Sequence, residues 1–223
     1  MSSNKHPFIP YKRESFSDDE MIKRSKNFYA WADERRSVRD FSSKPVPKEV
    51  LENIIMTAST APSGAHKQPW TFCLISNDEL KSKLRELAEE EEKKSYGGRM
   101  SESWLKDLEP LGTDWVKEFI DIAPWIVIVM KKAYDLEDGE KKNNYYVNES
   151  VGLASGFLLM AIHNAGLVAL THTPSPMNFI AKALERPENE RPFLLIPVGH
   201  PAEDAEVPDL VRKSTDEVIE YYD

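Results

Sequence analysis

The sequence specifies an α+β protein. Helical stripes and short apolar strands interleave without a regular βαβ rhythm, and no glycine fingerprint follows a strand as a dinucleotide fold would require. Trp125 to Met130 is apolar on both faces, the pattern of a strand buried from two sides.

The first element is a helix opened by Ser17-Asp18-Asp19-Glu20, read as a capping box in which Glu20 reaches back to the Ser17 amide. It carries Met21, Ile22, Phe28 and Tyr29 at helical spacing and ends near Ala32. Pro47 holds the first position of a second helix, whose stripe is Val50, Leu51, Ile54, Ile55 and Ala58. A strand over Thr71 to Ile75 follows, then a charged helix from Asp78 to Lys94 with Leu80, Leu84, Leu87 and Ala88 inward. Thr113 reads as the cap of a helix reaching Ile122, where Ala123-Pro124 ends it.

Residues 132–142 read as a polar connection. Asn143 to Ala165 is the longest helix, apolar nearly all round, with Gly166 just past its end. Its small residues Gly152, Ala154, Ser155 and Gly156 permit close helix approach, which points to burial at a subunit interface. Leu167 to Thr171 and Phe193 to Val198 add two strands. Residues 1–16 read as an extended arm and 17–223 as one domain, with a C-terminal extension over about 201–223 that could wrap a partner.

The 223 residues suffice for one sizeable domain, and a net charge of −9 argues against nucleic acid or an anionic membrane as partner. No apolar run approaches the ~20 residues that span a bilayer. The opening MSSNKHPFIP lacks the apolar stretch of a secretory signal. Cys73 is the one cysteine, so no intrachain disulfide forms and a reducing compartment is allowed. A cytoplasmic protein is the expectation. His6, His66, His163, His172 and His200 show no metal-ligand spacing.

Three groups of residues carry chemistry. Arg35, Arg36 and Arg39 crowd three guanidiniums into five residues, reading either as a solvated helix end or as a grip on phosphate. Ala61 to Trp70 is a loop broken by Pro and Gly that runs into a strand. Glu92 and Tyr96 lie four apart on one helical face, with Lys117 beyond. A carboxylate, a phenol and an ammonium together recognise an amino acid; the plain alternative is a solvated charge run over Glu89 to Glu92. Thr173, before Pro174, reads by itself as a strand-end turn.

RRSVR at 35–39, APSGAH and PW within 61–70, NAGLV before THTP, and PVGHP followed by VPDL and RK occur in this order. On these segments the chain resembles the FMN-dependent nitroreductase superfamily, and within it the iodotyrosine deiodinases, over about Arg35 to Asp216. The resemblance implies a nitroreductase-like fold, a mostly antiparallel sheet flanked by helices, in an intertwined homodimer with active sites at the subunit interface. It implies FMN as cofactor, reduced by NAD(P)H directly or through a reductase. Arg35, Arg36, Ser37, Val38 and Arg39 would meet the FMN phosphate and pyrimidine edge. Pro62, Ser63 and Gly64 would lie along the isoalloxazine, and Arg212 would reach the phosphate. Thr171, His172 and Thr173 would form a three-residue contact, with the Thr173 hydroxyl as the catalytic group at flavin N5.

The implied substrate is a halotyrosine, losing iodide, bromide or chloride by reduction. Glu92 would take its ammonium, Lys117 and Tyr96 its carboxylate, and the Ala65 N–H its phenolate, under a lid over about 89–117. His172 departs from the Thr common in that family, so its contact would use the backbone. A general nitroreductase acting on nitroaromatics or quinones is one competing function, and a non-catalytic flavin or halotyrosine binder is another.

Overall fold

A computed structural model describes residues 6–222. The chain divides into two compact units, Met1–Arg35 and Arg36–Asp223. Residues 1–5 of the expected arm lie outside the described residues, and 6–16 carry no helix or strand. Helix α1, Asp18–Asp33, is capped by the Ser17 hydroxyl, which accepts the Glu20 N–H at 3.4 Å. The Glu20 carboxylate turns instead to the Arg24 guanidinium at 2.7 Å, so the capping box is half built. No residue of α1 is buried, and its apolar Met21, Ile22, Phe28 and Tyr29 stand exposed.

The second unit begins with α2 (Lys48–Ala58), β1 (Trp70–Ile75), α3 (Asp78–Lys94), α4 (Glu102–Leu108) and α5 (Phe119–Ile122). Strands β2 (Trp125–Lys132), β3 (Tyr134–Glu137) and β4 (Glu140–Asn143) follow, then α6 (Val147–Asn164). The unit closes with β5 (Val168–Ala169), α7 (Asn178–Ala183), β6 (Glu190–Gly199) and α8 (Thr215–Val218). The central sheet runs β1-β2-β6-β5, every pair antiparallel, and Ser37 adds a parallel bridge to Ala169 at its edge.

Successive β2 side chains go to opposite faces. Val127 and Val129 join Leu51, Ile54, Val151, Ala154 and Leu158 in a core under α2 and α6. Ile126, Ile128 and Met130 join Leu84, Ala88, Phe119, Ile120 and Ile180 in a second core under α3, α5 and α7. The strand apolar on both faces is thus the plane that divides two helical layers. Among the described residues, no helix is long and apolar enough to cross a membrane.

Four expectations need correction, among them the strand over Leu167 to Thr171, which is reduced to Val168–Ala169. The segment 132–142 is a hairpin of β3 and β4, closed by Asp138 and Gly139 at φ 52° and 81°, the positive-φ pair that a two-residue turn demands. The long helix accordingly starts at Val147 rather than Asn143. The helix from Thr113 is reduced to α5: the Asp114 carboxylate accepts the Val116 N–H at 2.8 Å, and the Tyr96 hydroxyl donates to the Thr113 carbonyl at 3.1 Å. Local side-chain bonds have replaced the first helical turn. On α6, Leu153 and Phe157 remain 48% and 41% exposed, alongside Gly152 and Gly156.

Gly199 ends β6 where the Pro124 ring crosses, and a Cβ there would stand 2.5 Å from Pro124 Cδ. Gly199→Ala is therefore expected to cost about 1–3 kcal/mol of stability through overpacking, read as a lowered urea midpoint at unchanged slope.

Candidate active site

Helix α3 earns its length from Asn77, whose side chain accepts the Leu80 N–H at 2.8 Å, and from a last turn that holds Lys93 and Lys94. Glu92 lies on the inner side of that last turn, only 7% exposed. Lys117, 3% exposed, comes from the irregular segment before α5 and places its Nζ 3.9 Å from Glu92 Oε2. That ammonium also donates to the Asp114 carbonyl and to Thr113 Oγ1 at 3.4 Å. Tyr96 sits one turn beyond Glu92, with its ring 5.8 Å from Lys117 Nζ. The three groups read from the sequence as an amino-acid clamp are therefore together in space.

Burial dominates their electrostatics. It pushes the Glu92 carboxyl up despite the attraction of Lys117, and pushes the Lys117 ammonium down despite Glu92 and Asp114. Each charge is desolvated more than its neighbour compensates. A ligand bearing both an ammonium and a carboxylate would supply each with a second opposite charge. Burial also raises the Tyr96 phenol, which keeps it a hydrogen-bond donor.

Arg39 belongs to the same neighbourhood. Its guanidinium acts on Tyr96, Lys117 and His172, and with Thr113, Asp114 and Phe119 it lines a cavity of about 720 Å³. The His172 backbone is spent on Leu195, donating at 2.8 Å and accepting at 3.0 Å. Its ring lies edge-on to Phe119 at 5.7 Å, and Nε2 is buried with no hydrogen-bond partner among the described residues. Thr171 and Thr173, flanking it, are exposed.

The loop after α2 is shaped by left-handed residues: Ala65, His66 and Gln68 have φ of 49°, 55° and 47°. Ser63 Oγ accepts the Gln68 N–H at 2.9 Å, Ser150 Oγ accepts the Gly64 N–H at 3.3 Å, and the His66 and Lys67 amides bond back to Ser63 and Gly64. The Ala65 N–H, like that of Ser63, makes no hydrogen bond among the described residues. Gly64 is required where it stands, since a Cβ would lie 2.8 Å from the Tyr145 carbonyl oxygen. This loop lies on the α6 layer, whereas Glu92, Tyr96 and Lys117 lie on the α3 layer, across the sheet.

Of the arginine cluster, Arg35 closes the first unit with its N–H on Ala32 O at 3.2 Å. Arg36 donates to the Pro208 carbonyl, Ser37 is exposed, and buried Val38 donates its N–H to Ala169 O at 3.2 Å. Arg212 is exposed on the segment before α8. Guanidiniums, hydroxyls and an unspent N–H form a donor set that fits FMN, a phosphate joined to an acceptor-rich ring. The orphaned His172 nitrogen fits it as well. Among the described residues, no group of three His, Cys, Asp or Glu side chains could hold a metal.

The sequence reading missed what positions Lys117. Its backbone N–H donates to Glu89 Oε1 at 2.9 Å, and Glu89 in turn accepts from Arg85 Nε at 2.7 Å. The repeat Arg85, Glu89, Glu92 on one face of α3 was the available signal.

Burial, with Lys117 and Arg39 adding to it, lowers the His172 pKa from 6.5 to about 3. A base whose folded pKa is depressed binds its proton preferentially in the unfolded chain. Stability from this source is complete above pH 6.5 and falls as pH drops toward 3, by up to about 1.4 kcal/mol per pH unit. His172→Leu is expected to flatten the acid limb of the stability–pH curve, measured by urea unfolding between pH 7 and roughly pH 4.

The model of the Nitroreductase family matches residues 32–200. An iodotyrosine deiodinase of Haliscomenobacter hydrossis is 61% identical over 219 residues, covering 98% of this chain and 99% of its own. Iodotyrosine deiodinase 1 of Homo sapiens is 44% identical over 213 residues, 95% of this chain and 74% of its own. A crystal structure of oxidized iodotyrosine deiodinase bound to FMN and 3-iodo-L-tyrosine superposes with a TM-score of 0.75 at 30% identity, covering 87% of this chain and 98% of that one. The chain belongs to the nitroreductase family, and within it to the iodotyrosine deiodinases.

Proposed function

We propose that this protein is an FMN-dependent reductive dehalogenase that converts halotyrosine, iodotyrosine first among them, to tyrosine and halide. The observation that carries the substrate is the buried Glu92–Lys117 pair, 3.9 Å apart and each held away from its comfortable charge state. Glu92 takes the substrate ammonium, while Lys117 and the Tyr96 hydroxyl take its carboxylate. The relatives carrying the deiodinase name match 98% and 95% of this chain, which supports the reaction.

The Arg36, Ser37, Val38 and Arg39 stretch, with Arg35 and Arg212, is proposed to hold FMN at its phosphate and pyrimidine edge. Pro62, Ser63 and Gly64 would lie along the ring, and Thr171, His172 and Thr173 beside it. Bound and reduced, FMN supplies the two electrons that, with one proton, replace the carbon–halogen bond by carbon–hydrogen. The Thr173 hydroxyl is proposed to donate to the ring. The Ala65 N–H donates to the substrate's phenolate oxygen. A halogen lowers the phenol's pKa, so a donor that prefers the anion prefers halotyrosine over tyrosine. Segments 89–117 cap the substrate and exclude water.

The Ala65 loop and the clamp stand on opposite layers of one chain. We propose that a second copy completes each site, packing on the exposed α6 stripe around Leu153 and Phe157. A cytoplasmic setting would keep Cys73 a thiol, and burial pushes its pKa up, which makes it unreactive.

Adding iodotyrosine anaerobically to the reduced holoprotein is expected to oxidise the flavin with release of one iodide per turnover. No oxidation at millimolar iodotyrosine would sink the proposal. Lys117→Ala is expected to weaken iodotyrosine binding roughly 30-fold or more, the consequence of losing about 2 kcal/mol from a buried charge contact. A general nitroreductase would show unchanged affinity.

A further inference from the structure

Lys117 sits in a segment that forms no helix until Phe119, so its backbone N–H has no helical carbonyl to bond. Such an orphan must be satisfied from elsewhere. Glu89, on α3 one turn before Glu92, accepts it at 2.9 Å through Oε1. The same carboxylate oxygen receives Arg85 Nε at 2.7 Å, and Arg85 Nη1 reaches Asp121 Oδ2 at 2.8 Å. Asp121 is on α5, and its other oxygen accepts the Ser82 hydroxyl at 3.2 Å. Arg85 thus ties α3 to the chain on the far side of Lys117, and Glu89 ties α3 to Lys117 itself.

We infer that Glu89, held by Arg85, is a positioning residue that fixes the spacing of the Glu92–Lys117 clamp and so sets the enzyme's preference for an amino-acid substrate. The inference rests on the halotyrosine reading above. Its physical basis is that the two halves of the clamp come from different elements, α3 and the segment before α5. Their mutual distance is set by whatever bridges them. Glu92 and Lys117 do not set it, because at 3.9 Å they meet too loosely to fix a position. The Tyr96–Thr113 hydrogen bond at 3.1 Å is a second bridge, but it lies four residues before Lys117 and leaves the lysine's own backbone free to turn.

Charge supports the assignment. Burial pulls the Glu89 carboxyl upward, but the Arg85 hydrogen bond and the Lys117 N–H outweigh it and hold the group below the ordinary carboxylate range. Glu89 is thus a charged acceptor throughout the neutral range, and charge-assisted bonds of this kind are the stronger ones. Glu89 acts on Lys117, through its N–H and by charge on its ammonium, so its effect on ligands passes through the lysine.

The test uses the FMN-loaded protein and two probes, 3-iodotyrosine and 2-iodophenol, which lacks the zwitterion. Their dissociation constants are measured by calorimetry for wild type, Glu89→Ala and Glu89→Gln. Glu89→Ala is expected to weaken iodotyrosine about tenfold, the scale of one charge-assisted hydrogen bond, with 2-iodophenol unchanged. Glu89→Gln keeps a carbonyl oxygen for the Lys117 N–H without the charge and is expected to recover part of the loss. Equal weakening of both probes, or of neither, in Glu89→Ala would overturn the positioning role and leave the halotyrosine reading intact. Wild type binding both probes equally would overturn the two together. If Glu89→Ala does not fold, Arg85→Leu reads the same bridge from its other end, with the same selective loss expected and a proportionate loss contradicting it.

Discussion

A carboxylate and an ammonium buried within 4 Å of one another organise the functional half of this molecule. Taking either charge out of water is costly, and a loose pair repays little of that cost. The fold meets the cost by spending neighbouring groups: Lys117 Nζ is given the Thr113 hydroxyl and the Asp114 carbonyl, and its backbone is given Glu89. The residual imbalance shows in opposite directions on the two partners, Glu92 raised and Lys117 lowered. That imbalance is useful to a binding site. A zwitterion restores charge to both ends at once, and a ligand with only one charge leaves the other end uncompensated.

The second constraint is the sheet. Because β2 is apolar on both faces, helices must cover both, and residues on the two layers cannot meet within one chain without passing an edge. The Ala65 loop belongs to the α6 layer and the clamp to the α3 layer. On the proposed reading, a halotyrosine held at its charged end by one and at its phenolate by the other would need a second copy to complete the site. The apolar residues left exposed on α6 are what such an arrangement would cover. Gly152 and Gly156 lie beside Leu153 and Phe157 on α6, where small residues let a second helix come close.

Elements whose own apolar pattern decides their packing were legible in the sequence. Helix α3 has the bounds its stripe implied, Asp78–Lys94, and β2 was evident from its unbroken apolar run. The misses are local contests of hydrogen bonding. Thr113 looks like a helix cap, yet its carbonyl goes to Tyr96 and the Asp114 carboxylate to Val116 N–H, choices that periodicity does not reveal. The hairpin of β3 and β4 was announced by Asp138-Gly139, but its charged strands lack the apolar alternation that marks a strand. In the site, the i, i+4 spacing of Glu92 and Tyr96 was enough to join them, while burial of Glu92 among a run of four glutamates depends on tertiary packing. The Glu89 bridge depends on a helix that fails to form, and so had no positive signal at Lys117.

The proposed grip on both charged ends of the ligand is tested most directly by titrating the FMN-loaded protein with 3-iodotyrosine, with 3-iodotyramine, which lacks the carboxylate, and with the des-amino propanoate. Each truncated ligand is expected to bind at least tenfold more weakly than iodotyrosine, since each leaves Glu92 or Lys117 without its partner charge. Three equal dissociation constants would contradict it.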